Sequence, residues 1–186
     1  MESWPSNPVS HYISTLSCYP PRTVIADLGC GDAALARALI PKGYTVISFD
    51  LVTDGAFVIE ADIFERLPLP GSEGDSDGST KSDHGHSQIV NVVVCALSLM
   101  GINWPNCIRE AWRILRPKCV SALSSKYGIL HAWASGELNI AEVASRFTDV
   151  QQFQSLIESF GFRHKSTVCT FHILPVTELS IVNAGR

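Results

Sequence analysis

Between Thr23 and Leu28 the chain reads Thr-Val-Ile-Ala-Asp-Leu, a short apolar run rich in β-branched residues. It gives way at once to Gly-Cys-Gly-Asp and then to an Ala/Leu-rich stretch from Ala33 to Ile40. That succession predicts a strand, a tight glycine turn and a helix. Pro41, Lys42 and Gly43 break the helix, and Tyr44 to Phe49 predicts a second strand ending on Asp50. A βαβ unit implies parallel strands joined by a right-handed crossover.

Val58 to Ala61 predicts a short third strand ending at Asp62. Ile89 to Ala96 is apolar at nearly every position, as a strand covered on both faces must be. Ile108, Trp112 and Leu115 stand at helical spacing and mark residues 104–115 as an amphipathic helix ending before Pro117. Leu138 to Val143 predicts a further strand, Val150 to Phe160 a helix stopped by Gly161, and Thr167 to Val176 a last strand region. The order βαβ, β, β, α, β, α, β predicts an α/β fold of the Rossmann-like class, an open and mostly parallel sheet with helices on both faces.

With 186 residues, 46% of them hydrophobic and 17% charged, the chain has material for one packed core, so residues 1–186 are expected to form a single domain. From Gly71 to Ser87 no residue is apolar, and residues 71–88 are assigned to a flexible surface insertion. Acidic residues beside His84 and His86 there suit a solvated loop as well as a metal site, and no metal is expected. A net charge of −4 supplies no global field to draw the molecule onto nucleic acid, so any RNA contact must be local. Cysteines 18, 30, 95, 107, 119 and 169 are scattered without a CxxC pair, which suits reduced thiols in an intracellular protein. No run approaches the roughly 20 apolar residues of a membrane span, and the first eight residues lack a secretory signal; a soluble chain is expected.

Polar residues collect at the predicted carboxyl ends of the strands: Asp27, Gly29, Gly31 and Asp32 after the first, Asp50 after the second, Asp62 after the third. Open α/β sheets bind ligands there. Asp50 follows Gly29 by 50 − 29 = 21 residues, the spacing at which a carboxylate accepts hydrogen bonds from ribose hydroxyls. A dinucleotide fingerprint needs a third glycine, which is missing, and Asp32 sets negative charge where a pyrophosphate would sit. Asp62 can accept from an adenine amine and Ile63 can wall the ring. Ribose, adenine and an unphosphorylated cationic tail together describe S-adenosylmethionine. Asp32 reads equally well as a helix cap. Cys95 reads as a small core residue rather than a nucleophile, since nothing near it in sequence depresses its pKa.

The runs Val24-Ile25-Ala26-Asp27-Leu28-Gly29-Cys30-Gly31-Asp32, Ser48-Phe49-Asp50-Leu51, Cys95-Ala96-Leu97-Ser98-Leu99-Met100-Gly101 and Ile140-Ala141-Glu142-Val143-Ala144-Ser145-Arg146-Phe147, with Trp4-Pro5 and Pro8-Val9, resemble the nucleolar ribosomal-RNA-processing methyltransferases that include nucleomethylin. The resemblance implies S-adenosylmethionine as cofactor, N1 of a large-subunit rRNA adenosine as acceptor, ribosomal RNA and nucleolar proteins as partners, and a nuclear, nucleolar location. It implies cofactor contacts at Gly29, Asp50, Asp62, Ile63 and Cys95, with Gly31 and Leu51 beside them. It also implies direct transfer to a neutral ring nitrogen, for which alignment matters more than a strong base; no catalytic residue is assigned.

The chain departs from the family in three places. Family members carry a helical segment and a basic extension ahead of the Trp-Pro motif, and a histidine there with which His11 does not align. Cys119 to Ser135 replaces a short glycine turn, and Val168 to Arg186 lacks an aromatic closing strand and a basic end. Two other functions fit the residues: a non-catalytic nucleoside-binding scaffold in a nucleolar or chromatin complex, and a small-molecule methyltransferase, which the acidic pI favours. Arg109, Arg113, Arg116, Lys118, Arg146, Arg163 and Lys165 are the candidates for a local RNA surface.

Overall fold

The computed structural model describes residues 8–53, 55–69, 88–117, 136–143, 149–170 and 176–183. The segments 71–87 and 119–135, with Lys118 and Arg146, lie outside the described residues. The chain runs α1 (Pro8–Leu16), β1 (Val24–Leu28), α2 (Ala34–Leu39), a 3-10 turn (Ile40–Lys42), β2 (Thr45–Asp50), β3 (Val58–Glu60), β4 (Val92–Ala96), α3 (Trp104–Ile114), β5 (Glu137–Val143), α4 (Val150–Ser159), β6 (Phe162–Thr170) and β7 (Val176–Asn183). One sheet takes all seven strands in the order β3-β2-β1-β4-β5-β7-β6. β3 through β5 are parallel, and β7 runs antiparallel to both neighbours.

Strand alternation divides the core between the two faces of the sheet. Ile25 of β1 and Val92 and Val94 of β4 pack with Tyr12 and Leu16 of α1 and Leu35 and Leu39 of α2. Ala26, Leu28, Val93, Cys95, Leu138 and Ile140 face the other way, onto Ile108, Ala111 and Ile114 of α3 and Phe153 and Ile157 of α4. The near-continuous apolar run of β4 follows, because each of its faces meets a helix layer.

The predicted strand from Ile89 begins only at Val92. Val90 makes a single parallel bridge to Leu115, where the chain has already turned extended after α3. Just before the strand, the Asn91 side-chain oxygen accepts the Val24 amide at 2.9 Å. The predicted last strand, Thr167 to Val176, is corrected to two, β6 and β7, with residues 171–175 between them outside the described residues. An irregularity between His164 and Ser166 leaves Arg163, His164 and Lys165 all exposed. A bulge breaks the period of two that would have marked the strand. Helix α1 was not predicted; it buries Tyr12 and Leu16, one i,i+4 pair, against the sheet.

Candidate active site

Strand order places β2 and β3 on one side of β1 and β4 on the other. The crevice past the ends of β1 and β4 is therefore the switch point at which open sheets hold ligands. Two loops wall it, the turn leaving β1 at Gly29 and the segment leaving β4 at Leu97.

Gly29 and Gly31 both have positive φ, +74° and +56°, but for different reasons. A Cβ on Gly29 would stand 2.4 Å from the Cβ of Ser98, so this glycine lets the two loops close on each other. No atom lies within 4 Å of a Cβ built on Gly31, and the residue is exposed. The space above it is left open to a ligand. Ala33 and Leu97, at φ 55° and 59°, put a left-handed non-glycine residue into each loop. Such conformations cost about 1–2 kcal/mol each and collect at functional sites.

The end of β2 pins the first loop. The Phe49 carbonyl accepts the Gly29 and Cys30 amides at 2.8 and 3.1 Å. One oxygen of Asp50 accepts the Gly31 amide at 2.8 Å, and the other the Val52 amide at 3.4 Å. The Ala61 amide donates to the Asp50 carbonyl at 2.8 Å, which draws the end of β3 alongside. Asp62, half-buried just past that end, accepts the Phe64 amide at 2.9 Å. Gly29, Gly31, Asp50 and Asp62 thus meet at one end of the sheet, with Leu51 on the rim, 65% exposed.

Two expected site residues lie deeper. Ile63 is buried under the loop after β3. Cys95 is 0% exposed, with its sulfur 4.0 Å from that of Cys107, and presents no surface to a ligand in this conformation. The residue of its run that reaches the glycine loop is Ser98. Glu142, at the end of β5, accepts the Leu99 amide at 2.8 Å while only 1% exposed, and Leu97 donates to the Ala141 carbonyl at 2.8 Å, so β5 carries the loop that bears Ser98. The signal for Glu142 was a carboxylate ending an apolar strand. Asp32 does not cap α2: the N-cap is Ala33, which has no side-chain acceptor, and the Asp32 carbonyl takes the Arg37 side chain at 2.9 Å.

The crevice is acidic. Asp27, 3% exposed at its base, has its carboxyl pushed up to about 7 by burial and then by the charges of Asp50 and Asp32. Burial and the Asp27 and Asp50 charges push the Cys30 thiol up to about 12. The Cys95 thiol is raised well above its ordinary value by its hydrogen bond with Cys107 and by burial. Neither sulfur is a thiolate at neutral pH. Among the described residues no group of three or more His, Cys, Asp or Glu could hold a metal ion.

Solved structures share this architecture. A TehB-like SAM-dependent methyltransferase from Corynebacterium glutamicum superimposes with a TM-score of 0.63 at 13% identity, covering 94% of this chain and 86% of that one. A SAM-dependent methyltransferase from Methanosarcina mazei superimposes with a TM-score of 0.62 at 11% identity over 100% of both. The fold is that of the class I, Rossmann-like methyltransferases.

Sequence narrows the class further. The family described as hypothetical methyltransferase matches residues 1–183. The chain is 36% identical over 162 residues to ribosomal RNA-processing protein 8 of Dictyostelium discoideum, covering 87% of itself and 33% of that protein. It is 31% identical over 177 residues to the 25S rRNA (adenine(645)-N(1))-methyltransferase of Schizosaccharomyces pombe, covering 89% of itself and 45% of the relative. The chain belongs to the family described as hypothetical methyltransferase and spans less than half the length of these relatives.

Proposed function

We propose that the chain is an S-adenosylmethionine-dependent methyltransferase that methylates N1 of an adenosine in large-subunit rRNA, acting in ribosome biogenesis in the nucleolus. The observation that carries the cofactor assignment is the convergence of Asp50, Asp62 and the open face of Gly31 at the switch point. These groups fit the cofactor: carboxylate acceptors suit ribose hydroxyls and an adenine amine, and the acidic base at Asp27 suits a cation where a pyrophosphate would be repelled. The acceptor assignment rests on the relatives' chemistry.

When bound, the cofactor supplies an electrophilic methyl on a sulfonium. Asp50 and Asp62 anchor the nucleoside end. Asp27 favours positive charge beside the glycine loop once it ionises. The Ser98 loop, fixed by Glu142, closes the crevice on the β4 side, and Met100 and Ile102 beyond it are 64% and 95% exposed. A neutral ring nitrogen with its own lone pair would need alignment toward that methyl rather than removal of a proton, so the residues of the crevice would act by positioning.

The test is calorimetric titration of the chain with S-adenosylmethionine, for wild type, Asp50→Asn and Asp62→Asn. Micromolar binding by wild type, weakened at least tenfold by either substitution, supports the site; a folded wild type that does not bind overturns it. A methylation assay on large-subunit rRNA fragments, reading loss of N1-methyladenosine in Asp50→Asn, then tests the acceptor.

A further inference from the structure

Away from the strand ends, a groove of about 600 Å³ runs along α3 between the loop after β3 and the C-terminal end of α4. Its walls combine arginine and aromatic rings: Arg66, Arg109 and Arg113 with Phe64, Trp112 and Phe160. Asn106, Arg109 and Arg113 recur at three and four residues along one face of α3, so the helix presents them as a line.

The charges within the groove, three arginines against the carboxylates of Glu65 at the exposed rim and Glu110, are not equivalent. The Glu110 carboxylate is taken up inside the wall, accepting the Leu67 amide at 2.8 Å and pairing with Arg113. Arg113 also reaches the Leu67 carbonyl, which fixes the floor. Arg66 and Arg109 stay exposed at the rim, and the Arg109 guanidinium lies over the Phe160 ring at 5.2 Å from its centroid. Arg109 Nη1 donates to Asn106 Oδ1 at 2.8 Å, which steadies the guanidinium and leaves its other N–H groups for a phosphate, and half-buried rings offer faces to unpaired bases. All the cations in the groove are arginine, although the chain as a whole is acidic at −4. The Phe64 ring lies 3.3 Å from where a Cβ on Gly101 would stand, so the groove opens beside the loop that leaves β4.

We propose that this groove binds single-stranded RNA next to the residue being methylated, with Arg66 and Arg109 on phosphates and a base against the aromatic wall of Phe64, Trp112 and Phe160. The proposal deepens the methyltransferase reading and rests on it for the identity of the RNA. Single-stranded RNA is favoured over an acidic polypeptide because the rings lie within reach of the cations, an arrangement that bases use and carboxylates do not.

The experiment is fluorescence anisotropy of the whole chain with a fluorescein-labelled single-stranded RNA of about twelve nucleotides, within the usual range of single-strand sites, across a salt series. An Arg66→Ala/Arg109→Ala double variant is expected to bind about tenfold more weakly. Its plot of log Kd against log salt should flatten by about 1.4, at about 0.7 for each phosphate that is no longer neutralised. Phe160→Leu should weaken binding severalfold with the slope unchanged. Wild-type affinity and slope in the double variant, no RNA binding by wild type, or polyglutamate displacing RNA at lower concentration than RNA itself would overturn the proposal. Titration with S-adenosylmethionine separates it from the reading beneath it. Binding of RNA without cofactor sinks the methyltransferase reading and leaves the groove standing; cofactor without groove-dependent RNA binding does the reverse.

Discussion

The strand-end crevice and the α3 groove carry opposite charge within one acidic molecule. Asp27, Asp32, Asp50 and Asp62 gather where β1, β2 and β3 end, while Arg66, Arg109 and Arg113 line the groove. A cationic small molecule suits the first surface and a polyanion the second. The net charge of −4, which favoured a small-molecule substrate in the sequence, averages over both and describes neither. The two also differ in how they are held. The crevice is fixed by backbone conformation, with positive φ at Gly29, Gly31, Ala33 and Leu97. Side chains from α3, the loop after β3 and the end of α4 shape the groove, so single substitutions there should cost less stability than in the crevice.

The largest expected effect sharpens a contrast inside the crevice itself. Gly29→Val forces a β-branched residue into φ +74° and its Cβ to 2.4 Å from that of Ser98. A left-handed conformation costs about 1–2 kcal/mol and overpacking about 1–3 kcal/mol, so a loss of about 4 kcal/mol or outright unfolding is expected in urea titration. Gly31→Ala meets only the conformational cost, about 1 kcal/mol, because the space above it is open. Its larger effect should be on cofactor binding. Equal stability losses at the two glycines would break the assignment of Gly29 to loop packing and Gly31 to the ligand.

The next effect is a pH dependence. Asp27 has its carboxyl raised to about 7 in the folded chain, against the ordinary 3.8. The folded state therefore binds this proton more tightly than the unfolded chain does. Stability from this residue is fully present below about pH 4 and is lost as pH rises through about 7. The full shift corresponds to an upper limit on the order of 4 kcal/mol. Relative to Asp27→Asn, which cannot ionise, wild type should lose stability steadily from pH 4 to pH 8 in paired urea melts. Cofactor affinity should run the opposite way, tightening as the wild-type carboxylate forms and staying flat in Asp27→Asn. Parallel stability curves for the two proteins would show that Asp27 keeps an ordinary pKa.

The parallel half of the fold was legible in the sequence for a physical reason. Strands β1 and β4 are buried from both sides, and their apolar runs mark them whatever surrounds them. Asp50 and Asp62 were legible because chemistry at strand ends recurs with the βαβ period. The β6–β7 hairpin was not legible, because a bulge leaves Arg163, His164 and Lys165 together in solvent and no alternation survives. For Cys95 the family run pointed to the pocket without saying which way the side chain turns: the alternation of β4 sets it in the core beside Cys107 and leaves Ser98 at the crevice. The groove was only half visible. Arg109 and Arg113 stood out on α3, whereas Arg66 comes from the loop after β3 and Phe160 from the C-cap of α4, which only the packed fold brings near.

The smallest effect tests whether stability and groove function separate at all. Asp149 caps α4, accepting the Gln151 and Gln152 amides at 2.8 and 3.2 Å. Asp149→Ala removes that acceptor and should cost about 1 kcal/mol, as lost N-caps do. The groove wall, Phe160, stands at the opposite end of the same helix, where Ile157 and Phe162 are anchored in the core. Fraying of the first turn should therefore leave Phe160 in place and RNA affinity unchanged, while the urea midpoint falls. If affinity falls with stability instead, the groove depends on the order of the whole helix, and the weakening expected from Phe160→Leu would have to be reread as a packing effect rather than a lost stacking face.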